Sequence, residues 1–346
     1  MKQNWGIGLA LSLVGTVLGT LLTLAMFFTA GWTRPPIEAT QIGFRGTGQD
    51  LIKSKSEIEL LRVANTLPPS QEKASPDGER ATQAYQNVQV LTDLSADQFN
   101  RVMLSITEWV SPEQGCAYCH NVENLADDSL YTKIVARKML QMTRAINTSW
   151  KQHVADTGVT CYTCHRGQPV PREIWFKDDG GPRAGGFTPD NYGMGHPSKA
   201  NGSTAMLIDP FSPYLKGNTS IRVAGATALP KGNGASIMAT ENTYSLMMHM
   251  SSGLGVNCNF CHNSRNFADW TQSTPQRATA FHGLTMVRDL NNTWIDPLKP
   301  VFPANRLGPQ GDVAGINCAT CHNGASKPFL GVSQAKDFPE LGGVAK

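Results

Sequence analysis

Four copies of one pentapeptide carry the chemistry of this chain. They are Cys116-Ala-Tyr-Cys119-His120, Cys161-Tyr-Thr-Cys164-His165, Cys258-Asn-Phe-Cys261-His262 and Cys318-Ala-Thr-Cys321-His322. The sequence holds eight Cys, and these motifs use all of them. Cys-x-x-Cys-His is the attachment pattern of c-type haem. Its two thiols add to the two vinyl groups of one porphyrin as thioethers, and the adjacent imidazole reaches the iron from below the ring. The competing chemistries are disulfides, a thioredoxin-like redox pair and structural zinc. A redox pair needs neither four copies nor a following His. In a zinc site built from two Cys-x-x-Cys knuckles, the following His has no role. Four covalently bound haem c groups are therefore expected, with His120, His165, His262 and His322 as proximal ligands.

An iron that only carries electrons needs a sixth ligand, and Met raises the potential relative to a second His. The remaining His are His153, His196, His249 and His282. The helix-borne Met are Met103, Met139, Met142, Met247, Met248, Met250 and Met286, although a Met on an apolar helix face is usually packing. Met103 and Met247 lie 17 and 15 residues before His120 and His262, so one helix and a turn would bring each over its own haem. Met248, Met250 and His249 point elsewhere on that helix. For the other two sites, two schemes stand. Met142 and Met286 match each other and could both be ligands. Alternatively Met139 serves the second site, the matching Gly283 has nothing to offer, and the fourth iron takes His153 from the first half. Spacing does not decide between them. His196 and His282 read as surface or propionate contacts.

The elements that must position these groups repeat. At an offset of 144 residues Met103 meets Met247, Met142 meets Met286, Arg144 meets Arg288, Asn147 meets Asn291 and Trp150 meets Trp294. The pattern predicts a mainly α, loop-rich fold of two pseudo-symmetric two-haem halves. Ser95 opens a helix with Asp97 in its first turn. Val135, Met139, Met142, Ile146 and Trp150 form one face of a second helix. Thr240-Glu241-Asn242 leads into a third, and a fourth runs from about Pro275 to Asn291. The expected divisions are an anchor over 1–33, a wrapping segment over 34–90 with one short helix near Ser56–Asn65, a first two-haem unit over 91–177, a connector of loops and short strands over 178–235, a second unit over 236–325 and a tail over 326–346.

Residues Ile7 to Ala30 contain no charge. As a helix they would extend about 36 Å, enough to cross a hydrocarbon core of about 30 Å. Trp5 and Trp32 flank the run as interfacial aromatics do. The run is long for the apolar part of a leader peptide, no clear small-residue cleavage pattern follows, and no Cys stands nearby to accept a lipid. A retained single-pass anchor is expected, with the haem-bearing part in the periplasm, where covalent haem attachment takes place. The net charge of +3 is too balanced for a nucleic-acid partner. The 33 Gly and 21 Pro argue for many loops and few long elements.

From about residue 34 to 325 the chain resembles a known family, the tetrahaem cytochrome subunit bound to the photosynthetic reaction centre of purple bacteria and their relatives. The likeness rests on YQNVQVLTDLSADQFNRVM at the start of the first unit, on the four motifs with their irregular gaps, and on the Met positions. The resemblance implies Met distal ligands for the first three haems and two His for the fourth. On this sequence the pairs would be His120 with Met103, His165 with Met139, His262 with Met247, and His322 with His153. It also implies a nearly linear row, with the His262 haem nearest the bacteriochlorophyll special pair, then the His322, His165 and His120 haems. The implied partners are the L and M subunits on the periplasmic side, together with a soluble c-type cytochrome or a high-potential iron–sulfur protein as donor. The chain would be an electron carrier with no catalytic acid, base or nucleophile. Many members are tethered by a lipidated Cys that is missing here, and the anchor helix looks like its substitute.

Charge adds a separate expectation. Between Val102 and Thr132 only Arg-free, Lys-free sequence occurs, apart from the flanks, with Glu108, Glu113, Glu123, Asp127 and Asp128 around the first motif. Such a stretch could steer a basic donor. The runner-up function is a membrane-anchored tetrahaem quinol dehydrogenase. Such proteins are shorter and depend mainly on His distal ligands, which here would demand nearly every spare His. A catalytic multihaem enzyme would need an open iron with acid–base groups beside it.

Overall fold

The structure is a computed structural model that describes residues 5–29, 37–42, 50–177, 209–223 and 237–342. Helix α1 (Trp5–Thr29) carries no charge, and its large side chains from Leu9 to Phe28 are exposed. It is long and apolar enough to cross a membrane. Its threonines fold their hydroxyls back: Thr16, Thr20 and Thr23 each donate to the carbonyl four residues earlier at 2.8 Å. No hydroxyl among these three therefore needs water, which suits a lipid environment.

The wrapping segment is more structured than its sequence suggests. Strands β1 (Ile37–Gln41) and β2 (Asp50–Ser54) pair antiparallel, with Ile37 opposite Ser54. Helix α2 (Lys55–Ala64) follows at the expected place. Ser54 accepts from the Glu57 amide at 3.1 Å, and the Glu57 carboxylate accepts from the Ser54 amide at 2.7 Å, which closes a capping box. A single turn, α3 (Ala81–Ala84), leads to α4 (Ala96–Val110). Ser95 caps α4 as anticipated, with Gln98 completing the box. Helix α5 (Tyr131–Ser149) carries the predicted apolar face and is followed by the short α6 (Lys151–Val154).

The second motif forms its own turn, α7 (Cys161–His165), and the fourth forms another, α10 (Cys318–His322). Between them lie strand β3 (Ile174–Trp175), helix α8 (Ile237–Leu254), helix α9 (Pro275–Asp289) and strand β4 (Gly315–Ile316). Thr240, Glu241 and Asn242 are interior to α8, so the expected start was too late. Ile237, Met238 and Ala239 are good helix formers and nothing before Thr240 stops the helix. Helix α9 starts at Pro275 as expected and runs on into a wider π-type turn over Leu290–Ile295. β3 and β4 pair antiparallel and tie the chain after the second motif to the chain before the fourth. The expected connector over 178–235 lies outside the described residues except for 209–223, where a π-type turn spans Ser212–Lys216. His196 is also outside them.

Two apolar clusters form the core. The larger joins Met142, Ile146, Leu246, Leu284, Met286 and Leu290 with Phe211, Tyr214 and Leu215. The smaller joins Leu91, Leu94, Val102, Trp109 and Leu140 with Phe338 and Leu341 from the C-terminal segment. The expected tail is thus part of the core of the first unit. Its Glu340 forms an ion pair with Arg101 at 3.1 Å, with side chains only 2% and 4% exposed. Arg101 also donates to the carbonyls of Glu72 (2.6 Å) and Gln71 (3.0 Å) and lies 3.9 Å over the Phe338 ring. One guanidinium therefore joins the wrapping segment, α4 and the C-terminus. Removing one partner strands a buried charge. Glu340→Ala should cost about 3–5 kcal/mol, whereas Arg101→Met with Glu340→Leu should recover most of that loss. Denaturant unfolding of the purified holoprotein, followed through the protein signal, measures both.

Candidate haem sites

All four motif histidines are held alike. The Nδ1–H of His120 donates to the Leu125 carbonyl at 3.0 Å, and that of His262 to Phe267 at 3.0 Å. His165 donates to Gln168 at 2.9 Å and His322 to Ala325 at 2.9 Å. A backbone carbonyl cannot donate, so the proton must sit on Nδ1 and the lone pair must sit on Nε2. This is the tautomer a metal ligand requires. Burial pushes the basicity of His165 and His262 down and that of His322 down to about 4, so these rings stay neutral at ordinary pH.

The carbonyls also sort the motifs into two kinds. The first and third use the residue five positions on and begin as 3-10 turns, Gly115–Tyr118 and Cys258–Phe260. Thr132 closes the first by donating to Tyr118, and Thr274 closes the third by donating to Phe260, both at 2.5 Å. The second and fourth motifs use the residue three positions on and are α-turns ending in a left-handed residue, Arg166 or Asn323. Asn147 clamps the entry to the second: it donates to Val159 O at 2.9 Å and accepts from Val159 N at 2.7 Å. Asn291 does the same for the fourth with Ile316, at 3.0 and 2.8 Å. The sequence had already paired these two Asn, but not their task.

The structure brings His153 to His322. Their ring centroids are 5.9 Å apart. Two imidazoles about 2 Å either side of a shared metal would have centroids roughly 6 Å apart. Nδ1–H of His153 donates to the Thr279 carbonyl at 3.0 Å, which again leaves Nε2 as the acceptor. Gly283 is the reason His153 fits: a Cβ there would lie 2.5 Å from the His153 Cε1. The Met candidates divide. Met142 and Met286 are core residues, 8% and 5% exposed. Met103, Met139 and Met247 are half-buried at the edges of the clusters. His249 is buried in the core against Phe211, with centroids 4.6 Å apart.

The second and fourth motifs share one cavity of about 740 Å³, lined by Cys161, Cys164 and His165 on one side and by Cys318, Cys321 and His322 on the other. Met139, Met142, Met286 and His153 also line it. Cys164 Sγ is 3.0 Å from Cys321 Sγ, so the motifs meet edge to edge. Arg166, which the sequence did not single out, donates to Cys321 O at 3.3 Å and stacks 4.4 Å over Phe329. The helices that carry the other candidates pack around these two motifs. Helix α4, with Met103, packs on α7. α7 packs on α10, and α10 packs on α8, with Met247. Burial raises the thiols of Cys161 and Cys318 to about 12 and those of Cys119 and Cys261 to about 11. Among the described residues no three His, Cys, Asp or Glu converge as a metal cluster.

The acidic stretch is less free than its sequence suggests. Lys133 and Arg137, just beyond it, reach Asp128 at 3.0 and 2.9 Å. Arg137 and Asn87 hold that carboxyl well below its usual range. Asp127 is tied to Ser129 and Asn121. Glu113 and Glu123 stay exposed.

Residues 33–342 match the family model described as the photosynthetic reaction centre cytochrome C subunit. The photosynthetic reaction center cytochrome c subunit of Rubrivivax gelatinosus is 50% identical over 323 residues, covering 93% of this chain and 88% of the relative. That of Thermochromatium tepidum is 45% identical over 326 residues, covering 94% and 80%. Cytochrome c-554 of Chloroflexus aurantiacus is 28% identical over 302 residues, covering 72% and 71%. The pentapeptides, the prepared imidazoles and this similarity lead to one conclusion: the chain belongs to the photosynthetic reaction-centre cytochrome c subunits, electron carriers that work with the reaction-centre core at the photosynthetic membrane and bind haem c covalently.

Proposed function

We propose that the chain holds four haem c groups and relays electrons from a soluble periplasmic donor to the photo-oxidised special pair. Cys116 with Cys119, Cys161 with Cys164, Cys258 with Cys261, and Cys318 with Cys321 would hold the porphyrins as thioethers. His120 with Met103, His165 with Met139, His262 with Met247, and His322 with His153 would hold the irons. One observation carries this reading above the others: His153 and His322 approach to 5.9 Å across the space that Gly283 leaves. It favours the scheme in which Met139 serves the second site and His153 the fourth.

Bound haem supplies reversible one-electron chemistry at its iron, with a potential set by axial ligand, burial and nearby hydrogen bonds. The chain's own residues do the rest. Carbonyls of Leu125, Gln168, Phe267 and Ala325 fix each imidazole plane and tautomer. Met thioethers favour the reduced state, and the His153 imidazole favours the oxidised state more. The contact order α4, α7, α10, α8 supports a row of first, second, fourth and third sites. In this reading the third site faces the L and M subunits, and the first receives the donor, a c-type cytochrome or a high-potential iron–sulfur protein. Helix α1 anchors the chain in a single pass with the haem-bearing part in the periplasm. The paired motif geometries and the Asn147 and Asn291 clamps support two pseudo-symmetric two-haem halves.

Flash excitation of membranes containing the complex tests the role: c-type haem absorbance should bleach after each flash and recover with added donor, and haems that never bleach exclude the relay. Gly283→Ala tests the fourth pair. The added methyl should displace His153 at a cost of about 1–3 kcal/mol. The fourth haem should then bind carbon monoxide when reduced while the other three spectra persist. An unchanged fourth site would remove His153 as ligand. Charge reversal at Glu113 and Glu123 should slow the donor's association several-fold at low salt and leave high-salt rates unchanged.

A further inference from the structure

Two segments far apart in the chain make the same bonds. Phe211-Ser-Pro-Tyr-Leu215 follows the second motif, and Phe338-Pro-Glu-Leu341 follows the fourth. In each, the Phe carbonyl accepts from the Leu amide, at 2.6 Å for Leu215 and 3.0 Å for Leu341. The extra residue of the first segment is taken up by its wider π-type turn, whereas the second is a 3-10 turn. Leu215 and Leu341 are both fully buried. Each segment receives a matched Arg and Asn. Arg288 Nε donates to Tyr214 O at 3.0 Å, and Asn291 donates to Leu215 O at 3.0 Å. Arg144 Nε donates to Glu340 O at 3.0 Å, and Asn147 donates to Leu341 O at 3.0 Å. The partners are crossed. The segment trailing the first unit sits on the second unit, and the segment trailing the second unit sits on the first.

We propose that the two units exchange these closing segments, and that Leu341 and Leu215 are positioning residues for the second and fourth haem sites, respectively. Each acts through one Asn. Asn147 holds both Leu341 O and both backbone groups of Val159, two residues before Cys161. Asn291 holds both Leu215 O and both backbone groups of Ile316, two residues before Cys318. Closing segment, clamp and motif entry form one rigid chain of bonds in each half. The exchange also fixes how α7 and α10 meet, because neither half can shift without pulling its closing segment from the other. The C-terminus therefore governs the second site and not the fourth, its neighbour in sequence. The proposal rests on the haem assignment only for its redox readout.

The test uses the full chain in its reaction-centre complex, with Leu341→Ala and Leu215→Ala. Hydrogen exchange by mass spectrometry and a redox titration resolved by haem are read on each. Leu341→Ala should raise exchange at least several-fold across 144–165 and shift the second haem's midpoint, with 288–322 and the fourth haem unchanged. Leu215→Ala should do the reverse. Leu341→Met should restore the second site. If either alanine variant fails to assemble, Leu341→Val and Leu215→Val are read in the same way. A change at the fourth site equal to or larger than that at the second in the Leu341 variant overturns the proposal, and so does an unchanged second site. Fewer than four haems in the unaltered chain would sink the relay reading instead, while the exchange comparison would still decide this one.

Discussion

Everything in this molecule depends on a carbonyl oxygen next to each motif imidazole. Leu125, Gln168, Phe267 and Ala325 each accept from a histidine Nδ1–H, and Thr279 does so for His153. The bond settles where the proton sits, which nitrogen is left to coordinate and how the ring is turned. Backbone atoms supply the acceptor, so the bond depends on the geometry of the turn that carries it. The turns around the motifs are accordingly the most closely specified parts of the chain. Capping residues, left-handed positions at Arg166 and Asn323, and Asn clamps all serve to set where those carbonyls lie.

Burial works in the same direction. A ring surrounded by apolar side chains resists protonation, and His322, pushed down to about 4, is the strongest case. Its opposite number His153 is also made less basic by burial. Two neutral imidazoles can sit near each other where two imidazolium ions could not. Glycine at 283 completes the arrangement, because its missing side chain makes room for the His153 ring from the other half.

Much of this was legible in the residues. The pentapeptides named their chemistry outright. Ser95 and Pro275 marked true helix starts, and the period of Val135, Met139, Met142 and Ile146 found α5. Gly283 pointed to a missing local ligand. What stayed hidden depends on distance in sequence. Arg101 and Glu340 are 239 residues apart, and nothing local says that an ordinary Glu near the C-terminus is buried against an Arg. Thr240-Glu241-Asn242 looks like a cap, yet it lies inside α8 because good helix formers precede it. The acidic stretch looks free in sequence because Lys133 and Arg137, which fold back onto Asp128, lie just past its end.

The packing of α4 on α7, α7 on α10 and α10 on α8 means that order along the polypeptide is not order in space. The turn of the last pentapeptide packs between the turn of the second and the helix that precedes the third. A chain emerging N-terminus first therefore lacks the piece that joins α7 to α8 through α10 until nearly all of it has been made.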